Sequence, residues 1–470
     1  MTNYREIFES QKARHPQIRA RGPKERAALL RKLRDSVQAH AFEIKAAVQK
    51  DFGKSPAETD LTEIYVSVME LNHAAKSVKK WMRPRQFPTP MHMMGTSSEI
   101  RYEPKGCTLV IGPWNYPVQL VLAPLAAAVA AGCCVIVKPS ELTPATSGLM
   151  AKIIREVFDP EEVTFIQGDA AVTQELLKLP FDHIFFTGST KVGKIVMEAA
   201  AKNLTSVSLE LGGKSPAIFD ESVSMAAACE RLVWGKFVNA GQTCIAPDYA
   251  WVPESRLEEF LSECRKSIEK AYGPGPDAWK KSEDFARIIS DRNFGRLKAM
   301  LYQTVAEGAQ IAIGGDSDPA QKYIAPTILT GVKASHAVMS EEIFGPILPV
   351  LTYKSLEGEV LPMIQKGERP LALYVFSEKA RRVREVLDQT MSGGVCVNNT
   401  LIHIASPHLP FGGVGPSGLG SYHGEYGFKS FSHERAVVYQ DGPNITRLFF
   451  PPYTARVKKL LKLAMRFLAG

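Results

Sequence analysis

Leu120-Val-Leu-Ala-Pro-Leu-Ala-Ala-Ala-Val-Ala-Ala-Gly-Cys-Cys-Val-Ile-Val137 carries no charged residue, over a length that could cross a bilayer. Pro124 and Gly132 interrupt it, and its two parts read differently. The Ala-rich part fits a buried helix that stops at Gly132, because glycine accepts the left-handed conformation that ends helices. Cys133 to Val137 is a short apolar run of the kind a strand needs when both its faces are covered. A buried helix running straight into a buried strand points to a parallel sheet, not to a membrane span.

Working outward, short apolar runs at Thr108 to Ile111, Val135 to Val137, Thr164 to Ile166, His183 to Phe186 and Ser206 to Leu211 alternate with helical stretches. That rhythm predicts a doubly wound parallel sheet with helices on both faces. It resumes beyond Val223 and runs to Asn398, which predicts a second domain of the same kind. Residues 5 to 82 read as helices covering a sheet, with a break at Gly22-Pro23. Arg83-Pro-Arg-Gln-Phe-Pro-Thr-Pro90 punctuates them before a strand expected over Ser98 to Glu103.

Ligands of such sheets bind at the carboxyl ends of the strands. Three strand ends carry suitable groups: Ile111-Gly-Pro-Trp-Asn-Tyr-Pro117, Lys138-Pro-Ser-Glu-Leu142 and Thr187-Gly-Ser-Thr-Lys-Val-Gly193. In the last, small residues stand just before a helix, where backbone N–H groups could face a pyrophosphate. It lacks the G-x-G-x-x-G spacing. Gly413-Val-Gly-Pro-Ser-Gly418 has that spacing but contains Pro416 and does not open a helix, so it reads as a glycine-rich loop near the active site or a subunit interface.

The chain is 470 residues long, 45% hydrophobic and 23% charged, as expected for a globular enzyme of more than one domain. Seven scattered cysteines without a C-x-x-C pair predict reduced thiols in a cytoplasmic protein. The ten histidines show no metal-binding spacing, and no metal is expected. The net charge of +8 does not mark a nucleic-acid binder: Arg447, Arg456, Lys458, Lys459, Lys462 and Arg466 supply six of the eight excess charges from one tail.

Phe237-Val-Asn-Ala-Gly-Gln-Thr-Cys-Ile-Ala-Pro247 puts Cys244 in a loop after a helix expected to run from Met225 to Asn239, with Gly241 as its left-handed cap. A free thiol is a few per cent thiolate at neutral pH, enough for a nucleophile. Ser208-Leu-Glu-Leu-Gly-Gly-Lys214 places Glu210 in an apolar run, where a carboxylate needs a partner or a task. Together the two segments resemble the aldehyde dehydrogenase superfamily, and Gly-Gln-Thr-Cys-Ile-Ala-Pro-Asp-Tyr249 resembles its class 3 branch of fatty and aromatic aldehyde dehydrogenases. The resemblance runs from about Tyr4 to about Val438.

The resemblance implies an α/β fold of two doubly wound parallel-sheet domains, Rossmann-like and catalytic, plus a β oligomerisation arm. The expected division gives residues 1–82 and 106–209 to the NAD(P)-binding domain and 210–398 to the catalytic domain. Residues 83–105 and 399–440 are bridging and oligomerisation segments, and 441–470 form the tail. Cys244 is then the nucleophile, Asn115 an oxyanion donor and Glu210 the base that activates water. NAD, with NADP also admitted, is expected against Trp114, Lys138, Glu141, Gly188, Ser189, Thr190, Val192, Gly193, Glu342 and Phe344. The expected reaction is oxidation of medium- or long-chain or aromatic aldehydes to acids by a homodimer. The alternatives are a CoA-acylating enzyme and a binding protein that has lost the chemistry.

On a helix of 100° per residue, Lys458, Lys459, Lys462 and Arg466 share about a third of the circumference. Val457, Leu460, Leu461, Leu463, Ala464, Met465, Phe467 and Leu468 take the rest. Residues 454–469 are therefore expected either to lie in a membrane interface or to dock on the enzyme itself.

Overall fold

The computed structural model describes residues 3–444, 447 and 450–468, the side chains of Phe467 and Leu468 excepted. The charge-free stretch divides as its composition dictates. The helix Gln119–Ala131 is buried at every residue and ends at Gly132, whose φ is 90°. The strand that follows is Cys134–Lys138. It starts one residue later than expected because the Cys133 N–H still bonds to the Ala128 carbonyl, closing the helix.

That strand lies in a six-stranded sheet ordered Gly418–Leu419, Ser206–Glu210, His183–Thr187, Cys107–Ile111, Cys134–Lys138, Val163–Phe165. All neighbours are parallel except Gly418–Leu419, which returns antiparallel and pairs Gly418 with Glu210. The chain crosses through 211–215 to a seven-stranded sheet ordered Gln310–Ile313, Thr327–Thr330, Ile347–Tyr353, Tyr249–Pro253, Pro216–Phe219, Ala372–Phe376, Gly394–Val397. Only its first pair is antiparallel. The α/β architecture with more than one parallel-sheet unit is thus the expected one.

A third, antiparallel sheet joins Arg85–Phe87, Thr96–Pro104 and Ser432–Gln440. The expected strand at Ser98 to Glu103 is longer at both ends, because nine residues of Ser432–Gln440 pair along it. The amino-terminal helices Tyr4–Arg19 and Pro23–Ala39 break at Gly22-Pro23, where the Glu25 carboxylate accepts the Gly22 N–H at 2.8 Å.

Candidate active site

The helix before Cys244 runs Met225–Phe237, shorter than its apolar spacing suggests. Asn239, Ala240 and Gly241 all take positive φ, of 54°, 51° and 73°. Two of these are not glycine and need holding from outside. Glu58 accepts the Asn239 N–H at 2.9 Å. Gln242 donates Nε2 to the Asn239 and Arg287 carbonyls, at 3.0 Å each, and accepts from the Ile289 N–H. Gly241 permits no side chain, since a Cβ would lie 2.3 Å from the Gly345 carbonyl oxygen. This kink presents Cys244 to a cavity of about 680 Å³.

Asn115 reaches the same cavity from the loop after the strand Cys107–Ile111. Its Nδ2 donates to the Gln242 carbonyl at 3.0 Å, two residues before the thiol. The backbone N–H groups of Cys244 and Ile245 face the sulfur and favour its negative charge. Burial, with Glu342 and Glu210 adding repulsion, outweighs them and pushes the thiol up to about 12.

Glu210 ends the strand Ser206–Glu210 and is 2% exposed. Neither carboxylate oxygen has a hydrogen-bond partner. Burial alone holds this carboxyl well above its ordinary range. It stands just outside the cavity lining, beside Thr187, which does line it. An unpaired buried carboxylate near a thiol is what a base acting on water requires.

The opposite wall is built from both parallel sheets. Gly188, Ser189 and Thr190 line it, and Ser189 caps the helix Thr190–Ala201 by accepting the Val192 N–H. Glu342 comes from the second sheet's side and is pushed up to about 8 by burial and by Asp248. Gly212 makes room for it, since a Cβ there would sit 2.3 Å from its carboxylate. Phe344, at φ 50°, packs edge-on to Trp114 with ring centroids 5.4 Å apart. A dinucleotide fits these residues: a capped helix start faces the cavity and the buried Thr187 hydroxyl has no partner.

Of the residues expected from sequence, Trp114, Asn115, Gly188, Ser189, Thr190, Cys244, Glu342 and Phe344 meet around this one cavity. Lys138 and Glu141 do not line it; they pair at 3.0 Å at the end of the neighbouring strand. Val192 is 40% exposed, and Gly193 serves helix packing, a Cβ there meeting Leu211 at 2.7 Å. The loop Gly413 to Gly418 packs beside Glu210, and Thr190 donates its hydroxyl to the Pro416 carbonyl. Among the described residues no cluster of His, Cys, Asp and Glu could hold a metal. Sequence reading missed Glu58 and Glu63, which sit in helical turns taken for surface cover, and Lys54 in the connection before them; their partners at Asn115, Asn239 and Gln119 lie far along the chain.

The sequence profile of the Aldehyde dehydrogenase family matches residues 2–437. The chain is 42% identical to a 4,4'-diaponeurosporen-aldehyde dehydrogenase of Staphylococcus aureus, covering 91% of this chain and 92% of that one. It is also 42% identical to aldehyde dehydrogenase family 3 member A2 of Rattus norvegicus, covering 92% and 88%. The solved structure of a substrate-bound state of Staphylococcus aureus AldH superposes with a TM-score of 0.93 at 40% identity, covering 98% and 100%.

Proposed function

The chain belongs to the aldehyde dehydrogenase family and oxidises aldehydes, and we propose that it does so with NAD(P) through a covalent Cys244 intermediate, releasing a free acid. The observation that carries this reading is the convergence on one cavity of a half-buried thiol and an amide donor, with an unpaired carboxylate just behind them. The Cys244 thiol loses its proton to solvent in the cavity, and the thiolate sulfur bonds to the carbonyl carbon as the C=O π pair moves onto oxygen. Negative charge then develops on the former aldehyde oxygen, where the Asn115 Nδ2 and the Cys244 backbone N–H stabilise it. A nicotinamide dinucleotide, held by Gly188 to Thr190 and by Glu342, supplies the hydride acceptor. The resulting Cys244 thioester is hydrolysed when Glu210 takes a proton from water. The water oxygen adds to the acyl carbon, the C–S bond breaks, and the acid leaves. An enzyme passing its acyl group to CoA would need no such base, so the unpaired Glu210 favours hydrolysis.

The substrate class we assign is medium- or long-chain aliphatic or aromatic. Leu61, Tyr65 and Met69 expose apolar surface at helical spacing, and Trp234, Ile402 and Leu409 expose more from other elements. The elements bearing them adjoin the Asn115 and Asn239 loops: Glu58 binds Asn239, and Thr400 bonds to the Arg231 carbonyl on the helix of Trp234. We further assign a cytoplasmic homodimer built on the edge strand Ser432–Gln440, with the tail touching a membrane surface. No described helix is long and apolar enough to cross a membrane.

Formation of NADH and NADPH is to be followed without CoA on aldehydes from acetaldehyde to hexadecanal and benzaldehyde, beside Cys244→Ala. Turnover that increases with chain length and vanishes in the variant supports the reading. Product that forms only after CoA is added would establish the acylating alternative.

A further inference from the structure

Lys54 and Glu63 are both fully buried, and their ion pair of 3.1 Å lies behind the loop that carries Asn115. Lys54 Nζ also donates to the Asn115 carbonyl oxygen at 3.1 Å. Its ammonium stands 4.0 Å from the centre of the Tyr116 ring, whose hydroxyl is 2.7 Å from Thr243 Oγ1. The other Glu63 oxygen accepts the N–H groups of Val118 and Gln119, at 3.1 and 2.9 Å, where the buried helix Gln119–Ala131 begins. One ion pair therefore grips the backbone on both sides of Tyr116-Pro117.

Stability gives little reason for such a pair. Desolvating two charges costs about what their attraction returns, and an apolar pair of like volume often serves as well or better. Fixing a geometry is a better reason. The Asn115 carbonyl, held by Lys54 and by Asn239 Nδ2 at 3.0 Å, sets where its own side chain points. Glu63 lies within a π-helical turn, Asp60–Tyr65, a form of backbone found often at functional sites.

We propose that Lys54 and Glu63 are positioning residues for the oxyanion donor. Lys54 fixes the Asn115 carbonyl and Glu63 fixes the amides of Val118 and Gln119, so that Asn115 Nδ2 meets the adduct oxygen at Cys244. This inference rests on the oxyanion role of Asn115 given above.

The test uses the full chain with the variant Lys54→Met/Glu63→Gln, which removes both charges at nearly constant volume, beside Asn115→Ala. The double variant is expected to keep its circular dichroism and NAD+ affinity while kcat for aldehyde oxidation falls about 10- to 100-fold. Asn115→Ala should lose about 100- to 1000-fold. Combining all three changes should be no slower than Asn115→Ala by more than about twofold, because residues acting through one donor are not additive. Alkylation of Cys244 by iodoacetamide forms no oxyanion and should change by less than about twofold; the six other cysteines are buried. An unchanged kcat in the folded double variant, a multiplicative loss in the combined one, or alkylation falling in step with kcat overturns the inference. Wild-type turnover by Asn115→Ala would instead overturn the oxyanion role itself. If the double variant does not fold, Glu63→Gln alone, with every atom's volume kept, is read by the same criteria.

Discussion

A carboxylate that loses its hydration on folding and gains no hydrogen bond is destabilised as an anion, and Glu210 is in that position. Its carboxyl is raised above the unfolded value, so the native state binds the proton more tightly. The contribution of Glu210 to stability is therefore fully present below its unfolded pKa and is lost as pH rises toward the folded one. Glu210→Gln removes that loss. Its melting temperature relative to the natural protein should climb as the pH of the scan is taken from 4 upward. Turnover should respond in the opposite sense. The glutamine cannot deprotonate water, so a first turnover of reduced nicotinamide should stay fast while steady turnover drops by about 10²- to 10⁴-fold. Loss of the first turnover together with the steady rate would place Glu210 before hydrolysis. Glu210 and Cys244 were singled out by their two segments taken together and the family these resemble, since a charge in an apolar strand or a thiol in a loop says little alone. Lys54 and Glu63 were not, since a charge in a short connection or on a helical turn looks solvated until the fold supplies its partner.

At the scale of elements, sequence periodicity located the parallel strands of the six-stranded sheet to within a residue or two, because burial leaves a plain apolar run, and gave only the rhythm of the seven-stranded one. It did not locate the left-handed turn at Asn239 and Ala240, which tertiary hydrogen bonds from Glu58 and Gln242 impose. The tail shows both outcomes. Its helix is Ala455–Leu468, as the periodicity of 454–469 suggested, and Leu460, Leu461, Leu463 and Met465 are exposed, which leaves their apolar surface uncovered. The side chains of Phe467 and Leu468, and residue 469, lie outside the described residues. Each basic residue near an anionic bilayer contributes about 1 kcal/mol, screened by salt. Deleting residues 454–470 should remove most sedimentation with phosphatidylserine vesicles, and 0.5 M salt should do the same to the intact chain, a value on the order of several times physiological strength. Turnover of a short aldehyde should be unchanged. A deletion that sediments equally well, or that converts a dimer to a monomer, would assign the helix to the enzyme's own surface.

Across the whole molecule, the groups proposed to react are carried by separate sheets: Asn115 follows one strand of the six-stranded sheet and Glu210 ends another, while Cys244 precedes a strand of the seven-stranded one. The cavity between them is lined by Gly188 to Thr190 on one side and by Glu342 and Phe344 on the other. A dinucleotide bound there touches both halves and nothing in the unfolded chain, so it must stabilise the native state by mass action. At a hundred times its dissociation constant the gain is about 2.7 kcal/mol. NAD+ without aldehyde should therefore raise the melting temperature, and Glu342→Ala at the same NAD+ concentration should show a smaller rise because one half of the grip is lost. Running NADP+ in parallel asks whether the Lys138–Glu141 pair admits a 2′-phosphate: its ammonium attracts the phosphate and its half-exposed carboxylate repels it. A melting temperature unmoved by either dinucleotide would mean that the two walls do not form one cofactor site. The assignments of Gly188, Ser189, Thr190 and Glu342 would then fall together, while that of Cys244 would stand on its own test.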